Sequence, residues 1–92
     1  MPVEVRVPSS LRTATAGERV VFAEGSTVGG VLDDLSEKYP GFRASLFADN
    51  GQLRQFVNVY LNDEDIRYTG KLDTPVAEGD VVSILPAVAG GV

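Results

Sequence analysis

Apolar and polar residues alternate over VEVRV, with Val3, Val5 and Val7 at every second position. A period of two belongs to a strand with one face on a core, so this stretch predicts a half-buried strand. Pro8 ends it, because proline has no N–H to give to a ladder. The turn-rich SSLRTATAG leads into ERVVFAE, where Val20 and Phe22 alternate with Arg19 and Val21. That pattern predicts a second strand, closing a hairpin with the first. The period then changes. In GSTVGGVLDDLSEKYPG, Val28, Val31, Leu32, Leu35 and Tyr39 recur at steps of three and four, as on one face of a helix. Ser26 or Thr27 can cap its start, Asp33 and Asp34 fall on its wet face, and Pro40-Gly41 stop it. Gly29 and Gly30 weaken the first turns by about 0.8–1 kcal/mol each relative to alanine. Their expected compensation is close approach of the helix to the sheet.

FRASLFADNGQL reads as a short helical turn followed by a loop, and QFVNVYLN is the strongest strand pattern in the chain. NDED is then a turn, IRY a short strand, TGKLDTPVAEGD a long connection with turn chemistry at both ends, and VVSILP the last strand. Two β-regions around one amphipathic helix predict an α+β fold, a mixed sheet of about five strands packed on one main helix. With an opening hairpin and both ends of the chain in the sheet, the expected arrangement is the β-grasp, or ubiquitin-like, fold. The domain is expected over residues 1–86, with residues 87–92 as a flexible tail carrying Gly-Gly.

A chain of 92 residues supports one core and no second domain. Its net charge of −5, with only eight Lys and Arg scattered along it, argues against nucleic acid as a partner. No apolar run approaches the roughly 20 residues that span a bilayer, so no membrane role is expected. No signal peptide is recognisable either, which makes the cytoplasm the default location. The sequence has no Cys and no His. Disulfides, thiol nucleophiles, the usual metal ligands and the commonest general base are thereby removed together.

Three side-chain motifs have ordinary structural readings beside the chemical ones. GSTVGG has the glycine spacing of a phosphate loop, but Val31 and Leu32 stand where Lys and Ser or Thr would be needed, so a helix entry is expected. Asn62–Asp65 clusters carboxylates without the spaced oxygens of a calcium loop, which predicts a solvated turn. Asp33, Asp34 and Glu37 form an acidic helix face, solvated or docking on a basic partner. What is left is the terminal LPAVAGGV. Glycines without Cβ atoms can thread a narrow channel, and Ala87 to Gly91 reach about 16–18 Å when extended. A frayed end and a tail entering a partner's active site both fit that composition.

GDVVSILPAVAGG resembles the C-terminal signature of the MoaD/ThiS sulfur carrier family, in which Gly-Asp opens the last strand, a Pro closes it and a Gly-Gly tail projects. GSTVGGVLDDLSEKYPG is similar to the family's helix and FVNVYLNDEDIRY to its central strand and turn, so nearly the whole chain is covered. Length and the segments FVNVYLNDEDIR and ILPAVAGG are most similar to the CysO branch. The resemblance implies no catalytic residue and no bound cofactor. An E1-like adenylating and sulfurtransferase enzyme would use ATP to activate the last glycine, and a thiocarboxylate would form there. A PLP-dependent cysteine synthase, or another sulfur-accepting enzyme, would take the sulfur, and a JAMM-type metalloprotease would cut the product. Gly91 would be the sulfur-carrying terminus, Gly90 and Ala89 the threading residues, and Leu85, Pro86 and Val88 the docking residues. The resemblance leaves open the small subunit of a molybdopterin synthase, a carrier for sulfur-containing secondary metabolites, or a ubiquitin-like modifier. Val92 departs from the family pattern. The expectation is that it is a precursor residue removed in maturation; a variant terminus is the alternative.

Overall fold

The computed structural model describes residues 2–54 and 57–86. β1 (Pro2–Arg6) and β2 (Val20–Glu24) pair antiparallel, with Val5 opposite Val21, and form the expected hairpin. α1 (Val28–Lys38) and the short α2 (Gly41–Leu46) follow. β3 (Val57–Leu61), β4 (Glu64–Asp65) and β5 (Val81–Pro86) complete the sheet. The Gln55-Phe56 start expected for the third strand lies outside the described residues. The strand order is β2-β1-β5-β3-β4, with β1 and β5 parallel at the centre and the other pairs antiparallel. This is the expected mixed β-grasp sheet, with one main helix against one face.

The core follows from the two periods meeting. Val3, Val5, Val59, Val82 and Ile84 point inward from the sheet, and Val28, Val31, Leu32 and Leu35 meet them from α1. Thr27 is the cap: its Oγ1 accepts from the Gly30 N–H at 3.1 Å, satisfying one of the amides that a helix start leaves unpaired. Tyr39, half-buried, is the residue that ends α1, and its ring meets Phe42 edge-on at 6.4 Å.

Four expectations need correction. Val20 and Phe22 do alternate out of register with Val21, but their face is the outer one; Val21 and Ala23 are buried. Pairing with β1 decides this, because Val3 and Val5 fix which side of the hairpin meets the core. Ser9–Thr15 is a 3₁₀-helix rather than an open turn, pinned by the buried Thr15, whose hydroxyl donates to the Glu18 carbonyl at 2.9 Å. Ile66–Tyr68 is also 3₁₀, and the short strand is the preceding Glu64–Asp65. The buried Ile66 anchors this turn, and the Asp65 carboxylate accepts from the Arg67 N–H at its start. Finally, the two glycines at the start of α1 do not serve the sheet: Gly30 lies against Thr27 and Gly25, and Gly29 admits the connection at Leu72. A Cβ on Gly29 would lie 3.1 Å from the Leu72 carbonyl oxygen.

Gly25 is the tightest of these positions. A Cβ there would sit 2.6 Å from the Val31 nitrogen and 2.7 Å from the Gly30 carbonyl carbon, both backbone atoms. Because backbone cannot swing aside as a side chain can, Gly25→Ala is expected to displace the first turn of α1. The expected loss is about 1–3 kcal/mol, the usual range for overpacking, read from the midpoint of urea unfolding.

Candidate functional site

β5 delivers the chain end. It runs parallel to β1 and pairs Pro86 with Val57, so the chain leaves the sheet at the edge where β1 finishes and β3 begins. Val82 and Ile84 point into the core, and the alternation leaves Leu85, opposite Asn58, on the outer face at 46% exposure. Leu85 therefore lies on the outer face beside the point where the chain leaves the sheet, and Pro86 closes the strand. Val88, Ala89, Gly90, Gly91 and Val92 lie outside the described residues.

The outer face also carries apolar surface. Val20 is 40% and Phe22 54% exposed, and Phe22 stands opposite Glu4, which pairs with Arg6 at 2.9 Å. The available signal was the run Val20-Val21-Phe22-Ala23, apolar on both faces of one strand. One face of such a strand must look outward unless a second layer covers it.

Of the predicted acidic face Glu37 is exposed, whereas Asp33 and Asp34, like Asp65 and Asp80, have partners within the fold. Asp34 accepts from the Glu24 N–H at 2.8 Å and pairs with Lys38 at 3.2 Å, so it ties α1 to the end of β2 rather than facing water alone. Asp33 lies 3.6 Å from Arg43. Asp65 pairs with Arg67 at 2.7 Å. Asn62 and Asp63 take left-handed backbone conformations, with φ of 50° and 72°, in the two-residue turn between β3 and β4, which suits a primed hairpin turn. The Asn62 side chain accepts from the Val81 N–H at 2.9 Å and donates to Asp80 at 3.1 Å, and Asp80 accepts from the Ala77 N–H at 2.8 Å. The expected solvated turn is therefore also a clasp on the start of β5.

The Asp80 carboxyl is held below its ordinary value, first by the Ala77 amide and then by Asn62. Asp34 is lowered chiefly by the Glu24 amide and Asp65 chiefly by the Arg67 side chain. A depressed folded-state pKa contributes stability above the unfolded carboxylate value that is lost as pH falls through the folded value. The urea midpoint is thus expected to decline between about pH 5 and pH 2, and Asp80→Asn to flatten that decline.

The amides at the start of α1 are occupied internally: Val28 N–H donates to Thr74 O at 2.9 Å, Gly30 to Thr27 Oγ1 and Val31 to Thr27 O. GSTVGG is therefore a helix entry, as expected. Among the described residues no group of three or more Asp or Glu is arranged to hold a metal ion, and no helix is long and apolar enough to cross a membrane.

The ThiS family model matches residues 5–91, nearly the whole chain. The chain belongs to the ThiS family. This ThiS-family chain is 48% identical to the sulfur carrier protein CysO of Mycobacterium tuberculosis, over 99% of its own length and all of the relative's. The crystal structure of an Amycolatopsis orientalis BexX/CysO complex matches with a TM-score of 0.89 at 47% identity, covering 97% of this chain and 99% of that one. Small archaeal modifier protein 3 of Haloferax volcanii is 31% identical over 99% of this chain and all of that protein.

Proposed function

We propose that this protein is a sulfur carrier whose active group is the main-chain carboxylate of Gly91. The observation that carries the reading is the family match, which continues through Gly90 and ends on Gly91, combined with a central strand that directs the chain out of the sheet at Pro86. Residues 2–86 act as the recognised body and residues 87–92 as the reaching arm. The CysO relative at 48% identity supports sulfur carriage, and the BexX complex supports work through a protein partner.

Water first cleaves the Gly91–Val92 peptide bond on a protease, with the JAMM type as the expected agent, and frees the Gly91 carboxylate. An E1-like enzyme joins that carboxylate to the AMP portion of ATP and releases pyrophosphate. Sulfide then attacks the acyl carbon, AMP leaves, and a thiocarboxylate remains. A PLP-dependent cysteine synthase is the acceptor proposed, in the cytoplasm. The carrier itself contributes no catalytic group: Leu85, Pro86 and Val88 dock, while Ala89 and Gly90 thread.

Intact mass spectrometry after incubation with an E1-like enzyme, a JAMM-type protease, ATP and sulfide tests this. Loss of Val92 and exchange of one oxygen for sulfur at Gly91 are expected. Trimmed protein that stays unmodified refutes the reading. The modifier relative favours one second reading, attachment to lysines, which would give isopeptide-linked products that persist in excess thiol.

A further inference from the structure

The sheet has two edges of different character. β4 is two residues long and acidic, whereas β2 is five residues long and exposes Val20 and Phe22. An edge strand offers its outward amides and carbonyls to any other strand, and a long apolar edge is where chains pair with one another. The ladder shows which groups of β2 face outward. The Val7 N–H donates to the Arg19 carbonyl at 2.8 Å, so Arg19, Val21 and Ala23 turn their backbone groups towards β1. Antiparallel strands alternate these directions residue by residue. The groups of Val20, Phe22 and Glu24 therefore point away from the sheet.

Two of those outward groups are taken by side chains of α1. The Glu24 N–H donates to Asp34 Oδ2 at 2.8 Å, and the Phe22 carbonyl accepts from Lys38 Nζ at 3.1 Å. Lys38 Nζ lies 3.2 Å from the same Asp34 oxygen. The pair thus gives a donor to one carbonyl and an acceptor to the amide two residues on. One residue of a parallel neighbouring strand would supply the same two groups. Both side chains remain partly exposed, and an ion pair so placed adds little stability of its own. We propose that Asp34 and Lys38 stand in for a sixth strand and keep β2 from pairing with β2 of a second copy of this chain. A second copy fits because this strand is complementary to itself when run antiparallel. About a two-fold axis at Phe22 the apolar centres meet, and the Arg19 end of one copy faces the Glu24 end of the other. The inference is independent of sulfur carriage.

Asp34→Ala combined with Lys38→Ala tests this in the full chain, since losing one charge of each sign leaves the net charge at −5. Sedimentation equilibrium over a wide concentration range should show a monomeric parent. The double variant should dimerise at concentrations at least about tenfold lower than the parent does. Its Phe22 amide should exchange more slowly with solvent as the dimer fills. Lys38→Ala alone uncovers only the Phe22 carbonyl and should give a weaker dimer; this milder change decides the matter if the double variant does not fold. Asp33→Ala with Arg43→Ala removes another exposed pair of α1 and α2 and should leave the chain monomeric. A folded double variant, or in its absence a folded Lys38→Ala protein, that is as monomeric as the parent overturns the proposal. So does equal association of the Asp33→Ala/Arg43→Ala protein, a dimer whose Phe22 amide exchanges at the monomer's rate, or a parent that already dimerises with that amide protected.

Discussion

Removing Gly91 together with Val92 yields a protein that folds as before and is scarcely converted to a thiocarboxylate. The reason is reach. On the proposed function, an activating enzyme would hold its own groups fixed, and the body of this protein would set where its arm begins, beyond Pro86 at the end of β5. One residue fewer draws the carboxylate back by about 3.3–3.6 Å. Misplacement of a reacting group by about 1 Å can already cost about 100-fold. The expected result is a fall of at least about 100-fold in the rate at which the sulfur-bearing species accumulates by mass spectrometry. Unchanged far-UV circular dichroism would assign that loss to the terminus rather than to folding. Conversion at the parental rate would place the reacting carbonyl elsewhere.

Phe42→Ala is the substitution with the largest expected effect on stability. Phe42 is fully buried on α2 and stacks edge-on with Tyr39, the residue that ends α1. Its ring holds the turn between the two helices and cannot be replaced by solvent. Truncating a buried Phe to Ala typically costs about 3–5 kcal/mol, since both transfer energy and packing are lost. Set against a total of about 5–15 kcal/mol for a domain, that is a large share. Chemical denaturation should move to a much lower midpoint with an unchanged slope. A loss below about 1 kcal/mol would mean that the site collapses around the hole.

These two expectations rest on features of unequal legibility. The strand over Val3–Val7 and the helix from Val28 were readable because a single period sorts their residues between core and water. β2 was readable as a strand but its inward face was not, because Val20 to Ala23 is apolar on both faces, and only the register with β1 chooses between them. IRY looked like a strand because Ile and Tyr favour strands, yet Asp65 caps a 3₁₀ turn through Arg67 and the buried Ile66 holds it. Gly25 was legible only as part of the GSTVGG spacing and not as a contact, since nothing local announces the backbone of Gly30 and Val31 against it. Of the candidate site, the Gly-Gly terminus was readable from its composition and family likeness. The exposed Phe22 and the Lys38 side chain on its carbonyl required the folded chain, because they come from segments distant in sequence.

The central position of β5 joins the two halves of the sheet. Its neighbours are the first strand of the chain and the third, and without it β1–β2 and β3–β4 are separate hairpins. The strand that leads towards Gly90 and Gly91 is therefore the same one that closes the body, so the sheet assembles only around the segment that bears them.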